Sequence, residues 1–152
     1  MPITSYEKYM SEASSKGKLA NYQPYSAITK GAAAAIAFGV AVQLGADQET
    51  VVPFAGGAPA GISLAQEPHD WVNNAADQNY PVNSPVAVVT KGVIWVEVIE
   101  DVLAGDTPVV DNATGNFRPN TTAITTVTAL PGARFHSAAA AGGLAQLEIN
   151  LP

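Results

Sequence analysis

The sequence predicts an all-β protein, either a small antiparallel β-barrel or a jelly-roll-like sandwich, with an extended N-terminal arm. From residue 36 onward, short runs rich in Val, Ile and Thr alternate with turn signals at close spacing, a pattern typical of sandwiches and barrels. The chain has 152 residues, of which 47% are apolar and 13% charged, which suits one folded domain with a full core. No segment alternates a strand pattern with a helix pattern, so a parallel α/β fold is not expected.

Residues 1–30 differ in composition from residues 31–152, and we expect them to form an arm and a β-barrel body respectively. The arm holds four of the five tyrosines and carries four lysines against two glutamates, whereas the body has three basic and eleven acidic residues. An arm with so little aliphatic content cannot form its own core. It is expected either to lie across its own body or to pack on a neighbour, where tyrosine rings are favoured.

Part of the arm has helical spacing. Tyr6, Tyr9 and Met10 would share one face of a short helix over residues 5–15, and Gly17 would end it. An extended arm is the alternative.

The body is predicted to contain a series of short strands. We place them at residues 36–44, 50–54, 60–66, 85–90, 93–99, 107–111, 121–129, 133–137 and 144–149. The first lies in the Ala- and Gly-rich run 31–45, which is too short to span a membrane and is preceded by too many polar residues to be a signal peptide. The NATGN sequence at 112–116 predicts a hairpin. The polar stretch 67–84 predicts a long loop of the kind that carries contacts.

Groups that could carry catalysis are scarce. The chain has no cysteine and only two histidines, His69 and His136, which are too far apart in sequence to suggest a metal triad. The carboxylates between residues 97 and 111 do not have the spacing of a calcium loop, and no phosphate-binding or nucleophile motif is present. We therefore expect no enzyme activity, cofactor or metal. The net charge of −6 argues against a nucleic-acid partner, and no membrane contact is expected.

Seven short sequence segments, spread over residues 17–150, together indicate a protein family. They are GKLAN, IAFGVAVQLG, PAGISLAQ, VNSPVAVVTKGVIWVEV, VLAGDTPVV, NATGNF and LPGARFHSAAAAGGLAQLEI. In the presence and order of these segments, the chain resembles the structural cement, or head-decoration, proteins of tailed bacteriophages. Residues 1–16 are expected to lie outside the family pattern, and the EPHDW loop is a variable region.

The resemblance implies a small barrel or jelly-roll body present in many copies on the outer capsid surface of the virion. Such proteins often form homodimers or homotrimers, are made in the host bacterial cytoplasm, and bridge neighbouring subunits of the major capsid protein through an arm and loops. No reaction or cofactor is implied.

The candidate contact residues, for the capsid or for another copy, are the aromatic, basic and methionine side chains of the arm and two aromatic residues of the long loop. They are Tyr6, Tyr9, Met10, Lys16, Lys18, Tyr22, Tyr25, Trp71 and Tyr80. Two alternatives stay open at this point. One is a carbohydrate-binding or adhesive β-domain of a phage particle that uses Trp71 and Tyr80. The other is a metal-dependent barrel enzyme that uses His69, Asp70 and His136.

Overall fold

The computed structural model describes residues 15–20, 24–66 and 79–152, and in these ranges the chain forms strands and no helix. In chain order the strands are β1 Ser26–Ala32, β2 Ile36–Ala37, β3 Ala41–Leu44, β4 Thr50–Pro53, β5 Pro59–Ser63, β6 Asn79–Tyr80, β7 Pro85–Glu97, β8 Pro108–Asp111, β9 Phe117–Pro119, β10 Val127–Ala129, β11 Arg134–Phe135 and β12 Leu144–Asn150. The predicted all-β class is confirmed. No helix in these ranges is long and apolar enough to cross a membrane.

Five strands close into a barrel in the order β1-β4-β3-β5-β7, and β7 pairs back onto β1. All of these pairs are antiparallel except β1 with β4. Strand β7 is 13 residues long, so its second half extends past the barrel, where it pairs with β12 and β12 pairs with β11. Two smaller sheets, β10-β8-β9 and β2-β6, complete the fold.

Strand β7 is continuous where the sequence predicted two strands joined by a turn at Lys91–Gly92. Its pairing with β1 shifts register by one residue, because Ser26 lies opposite Lys91 whereas Ala27 lies opposite Val89. Such a β-bulge reverses the side-chain alternation of the strand. As a result Val89 and Ile94, five residues apart, face the same core cluster.

The buried apolar residues form two clusters. One contains Ala32, Ile36, Phe38, Val40, Val42, Val51, Tyr80, Val86 and Val88. The larger one contains Ala41, Ile62, Val89, the inward residues of the second half of β7, and residues of β8, β9, β11 and β12. Successive side chains in a strand point to opposite faces, so the neighbours Ala41 and Val42 enter different clusters. The central barrel strands are thus buried on both faces, which explains why the run 36–44 is almost wholly apolar.

Several predicted strands are shorter than expected. The first, 36–44, is divided between β2 and β3 by Gly39, whose φ of 70° favours glycine. The threonine-rich segment 121–129 forms a strand only over its last three residues. The hairpin predicted at 112–116 is confirmed, since β8 and β9 on either side of it pair antiparallel.

The first barrel strand crosses the boundary predicted between arm and body at residue 30. Strand β1 begins at Ser26, inside the predicted arm, and is part of the barrel. Residues 17–20 also lie in the body, alongside β7. The helix expected over residues 5–15 falls almost wholly outside the described residues.

Candidate functional site

Residues 15–20, called here the arm root, form an additional edge beside the second half of β7. The Gly17 N–H donates to the Trp95 carbonyl, the Trp95 N–H donates to the Lys18 carbonyl, and the Ala20 N–H donates to the Val93 carbonyl, each at 2.8 Å. This bonding is antiparallel, as it is in β1. The arm root therefore follows the same side of β7 as β1 does, further along that strand.

The arm root contacts the barrel most closely at Gly17. Its carbonyl accepts a hydrogen bond from the Ala65 N–H at 2.9 Å. A Cβ placed on Gly17 would lie 2.8 Å from the Gly39 nitrogen and 3.0 Å from the Ala65 nitrogen. The backbone of the arm root can approach the barrel this closely only because residue 17 has no side chain.

A buried serine supports the other side of this contact. The Ser63 hydroxyl donates to the Ala37 carbonyl at 2.7 Å and accepts from the Val40 N–H at 3.2 Å. The Gly39 N–H donates to the Ser63 carbonyl at 2.8 Å. Ser63 thereby fixes the turn between β2 and β3 in which Gly39 lies.

The ends of the long loop lie near the same place. Ala65, bonded to Gly17, comes two residues before the undescribed stretch 67–78, and Tyr80 comes two residues after it. The Tyr80 hydroxyl donates to the Leu64 carbonyl. The arm and the long loop therefore leave the body at one site, which we call the arm–loop corner, defined by Gly17, Gly39, Leu64, Ala65 and Tyr80.

The structure places Tyr80, one of the predicted contact residues, in the core. Its side chain is fully buried, and its ring meets Phe38 edge to face with centroids 5.1 Å apart. This placement follows from the pairing of β6 with β2, where Tyr80 lies opposite Ile36. Burial raises the pKa of its hydroxyl. The prediction that Tyr80 offers an exposed ring was wrong, and the adhesive alternative loses one of its two aromatic residues.

Three other predicted contact residues are described. Lys16 forms an ion pair with Glu97 of its own body, with Nζ 3.3 Å from Oε2. Lys18 is exposed. Tyr25 is 51% exposed, and its Cβ lies over the backbone of Gly92, where an added Cβ would be only 2.8 Å away.

The remaining predicted contact residues lie outside the described residues. They are Tyr6, Tyr9, Met10, Tyr22 and Trp71.

The structure gives the metal-enzyme alternative no support. His136 Nε2 lies 2.5 Å from Glu148 Oε2, and Arg134 is 4.0 Å from the same oxygen. Across the described residues no group of three or more His, Asp or Glu side chains could hold a metal ion. His69 and Asp70 lie outside these residues. Within the described part of the chain, the one histidine lies just after β11 and contacts Glu148 of β12.

Sequence reasoning missed a polar network beneath the β8–β9 hairpin. Asp111 Oδ1 accepts from the Ala113 and Thr114 N–H groups at 3.0 and 2.9 Å. Arg118 joins Asp111 at 3.1 Å and Glu100 at 3.0 Å. Although burial acts in the opposite direction, the Thr114 N–H and the Arg118 guanidinium hold the pKa of Asp111 below its usual 3.8. The NATGN sequence pointed to the turn, but no local signal pointed to Arg118.

The described residues define the chain as a small all-β protein built on a closed five-strand barrel. The family model "Structural cement protein (E217 gp24/Pam3 gp6)" matches residues 2–150, and the chain belongs to this family of phage structural proteins. Its place is accordingly the virion. The match begins at residue 2, so the expectation that residues 1–16 lie outside the family pattern was wrong.

Similarity to a solved structure supports the fold. A chain of "The capsid of Myoviridae Phage XM1" is similar with a TM-score of 0.68 and 17% identity, over 97% of this chain and 98% of that one. A chain of "The crystal structure of head fiber gp8.5 N base in bacteriophage phi29" is similar with a TM-score of 0.49 and 14% identity, over 83% of this chain and 94% of that one. No curated protein matches the sequence.

Proposed function

We propose that this protein is a capsid cement protein that binds the outer surface of a phage head and bridges neighbouring subunits of the major capsid protein. It acts by binding alone, without a reaction or a cofactor, after synthesis in the host cytoplasm. Membership of the cement family supports this proposal.

The observation that carries the proposal is the arm–loop corner. The segment 1–14 and the loop 67–78 begin and end beside Gly17, Ala65 and Tyr80. Tyr6, Tyr9, Met10 and Trp71 therefore belong to segments attached at one corner of the body. Two segments that leave from one point can engage two neighbouring subunits of a lattice, and the second contact then forms at high effective concentration.

The charge distribution also supports binding through the arm. The arm is basic and the body acidic. Lys16 is already paired with Glu97, whereas Lys18 is exposed and forms no ion pair within the described residues. We propose that Lys18, together with Lys8 earlier in the arm, meets an acidic surface of the major capsid protein. Attraction between exposed charges weakens with salt, so capsid binding should weaken as ionic strength rises.

The direct test is co-sedimentation with capsids that lack the protein. The wild-type chain should saturate at a fixed ratio to the major capsid protein and raise the temperature at which the capsids open. Deletion of residues 1–14, which leaves the arm root in place, should abolish saturation. Lys18→Glu should weaken binding most at low salt, while Arg134→Glu, the same charge change at a side chain that is 62% exposed, should bind normally.

Each measurement in this test has an outcome that would contradict the proposal. Absence of wild-type binding would overturn the cement function. Full retention of the protein lacking residues 1–14 would overturn the role of the arm while leaving the function in place. Equal loss by Lys18→Glu and Arg134→Glu would show that net charge, rather than the position of Lys18, governs binding.

A further inference from the structure

Among the described residues, nothing pairs with the outer edge of β1 along most of its length. On one side β1 pairs with β7 from Ser26 to Gly31, and on the other it meets β4 only at Gly31 and Ala32. From Ser26 to Lys30 no other described strand lies on the outer side. Ser26 through Thr29 are also exposed at every position, so this part of the strand projects as a ribbon with two accessible faces.

The direction of the free backbone groups follows from the hydrogen bonds at the end of β1. The Gly31 N–H donates outward to Glu49 of the β4 side at 3.1 Å, whereas the Ala32 N–H donates to Ser84 on the β7 side at 2.9 Å. Backbone groups alternate in direction along a strand. The N–H and C=O groups of Ala27 and Thr29 therefore point outward.

Two features that normally prevent edge pairing, a proline and a projecting lysine, do not protect residues 26–30. Native edges are protected by projecting lysines, prolines or short strands. Residues 26–32 contain no proline, and the one lysine, Lys30, is turned back so that its Nζ donates to the Gln48 carbonyl at 2.8 Å. Ile28 is 43% exposed on this edge. The edge is therefore competent to accept a strand.

We propose that β1 pairs antiparallel with β1 of a second copy across a twofold axis through Ile28. In this register Ala27 lies opposite the partner's Thr29, so the outward groups of both residues meet and form four hydrogen bonds. Ile28 faces the partner's Ile28 in a non-hydrogen-bonded pair, where side chains approach closely and β-branched residues pack well. Lys30 falls opposite the partner's Ser26, so no like charges face each other.

This complementarity of the strand to itself is what favours a second copy over an unrelated strand. A five-residue edge buries less surface than a stable dimer usually needs, so the pairing is expected to be weak in dilute solution. It does not depend on capsid binding. If the cement function holds, the same pairing would link two copies at the high local concentration of the capsid surface.

The test uses the absence of cysteine from the chain. A non-hydrogen-bonded antiparallel pair brings its Cα atoms to about 4.5 Å, within the range that a disulfide requires. Under mild oxidation of free protein, Ile28→Cys should form a covalent dimer. Leu103→Cys, at a residue that is 67% exposed but not part of β1, should stay monomeric under the same conditions.

A second pair of variants, made in the Ile28→Cys background, tests the hydrogen bonds. Thr29→Pro removes an N–H that points away from β7, so β1 keeps its bonds within the barrel, whereas Thr29→Val keeps that N–H. Thr29→Pro should reduce the rate of cross-linking at least tenfold and Thr29→Val should not. Circular dichroism verifies that both variants are folded.

Cross-linking of Ile28→Cys no faster than Leu103→Cys, or unaffected by Thr29→Pro, would overturn the proposal. If free protein fails to cross-link but Thr29→Pro abolishes capsid binding while Thr29→Val preserves it, the edge accepts a strand of the capsid and the second-copy proposal is wrong. Because cross-linking is measured without capsids, its failure is separate from failure of the cement function.

Discussion

Gly17 and Gly39 pack backbone against backbone at the point where the arm root meets the barrel. A Cβ on Gly17 would lie 2.8 Å from the Gly39 nitrogen, and a Cβ on Gly39 would lie 2.6 Å from the Gly17 nitrogen. Both residues have positive φ, 87° and 70°, where side chains are disfavoured. The position of the arm root thus depends on two residues that tolerate no side chain.

Substitution of Gly17 by alanine should therefore loosen the arm root. The added methyl meets two backbone nitrogens, and residue 17 keeps a strained φ, so we expect a loss of about 2–4 kcal/mol in the free energy of unfolding. Gly142→Ala is the matched control because Gly142 has a φ of 82° and no atom within 4 Å of an added Cβ. It should lose about 1 kcal/mol from backbone strain alone. Equal losses in urea unfolding would show that the contact with Gly39 is unimportant.

Removal of one hydroxyl from the core tests the role of Tyr80. Tyr80→Phe leaves the Leu64 carbonyl without its donor and should cost about 1–2 kcal/mol in urea unfolding. Tyr25→Phe changes a half-exposed ring and should stay within about 0.5 kcal/mol of wild type. A loss as small as that of Tyr25→Phe would mean that the hydrogen bond of the Tyr80 hydroxyl adds nothing to the free energy of unfolding.

The same residue should make the protein sensitive to alkali. Burial raises the pKa of Tyr80 above its ordinary value of 10.0, so the folded state favours the neutral phenol. The associated stability is complete below pH 10 and is lost as pH rises through the folded-state pKa. The free energy of unfolding should fall less steeply above pH 10 in Tyr80→Phe than in wild type. Parallel curves for the two proteins would contradict this origin of alkaline sensitivity.

The alternation of apolar residues along the sequence correctly predicted those strands that have one buried face. At the end of β7 and one residue beyond it, Ile94, Val96 and Val98 alternate with less apolar residues, and all three proved fully buried, because one face of this stretch covers the larger core cluster. The bulge that joins this stretch to Pro85–Thr90 was not predictable, since Lys91–Gly92 has the composition of a turn and is kept extended by long-range pairing with β1 and β12.

Long-range pairing decided the parts that were missed. The segment Ser26–Thr29 has no buried face, so no periodicity could mark it as a strand, and it is held by β7 about sixty residues later in the chain. Tyr80 was misassigned for the converse reason. Its neighbours have loop composition, but a two-residue pairing with β2 turns its ring into the core. Contacts of the arm root with Trp95 likewise leave no trace in local sequence.

The network at Asp111 should give the protein an acid-sensitive element. The folded-state pKa of Asp111 lies below 3.8, so its stabilising effect is present above that pH and is lost as pH falls through the folded-state pKa. Asp111→Asn removes the charge that pairs with the largely buried Arg118 and should cost about 2–3 kcal/mol at neutral pH. The difference from wild type should shrink as the pH falls below 3.8.

Asp47→Asn provides the control for the contribution of Arg118 to the loss at neutral pH. Asp47 accepts hydrogen bonds from the Glu49 and Thr50 N–H groups, as Asp111 does within its own turn. Unlike Asp111, it is solvent-exposed and forms no ion pair with another described residue. Its substitution should therefore cost clearly less at neutral pH. Similar losses in the two variants would show that the turn hydrogen bonds, and not Arg118, account for the effect of Asp111.

Ser63 links the stability of the core to the position of the arm root. Its hydroxyl is fully buried and bonds both the Ala37 carbonyl and the Val40 N–H, so Ser63→Ala should cost about 1–3 kcal/mol by leaving these groups short of a partner. Ser84→Ala removes an exposed hydroxyl that bonds one carbonyl, that of Pro81, and should have little effect. Because Ser63 fixes the turn that carries Gly39, its loss should also speed hydrogen exchange at the Gly17 and Ala20 N–H groups more than at Ile94 in the core of β7. Uniform acceleration at all three sites would mean that Ser63 supports only global stability and that the arm root is held independently of this turn.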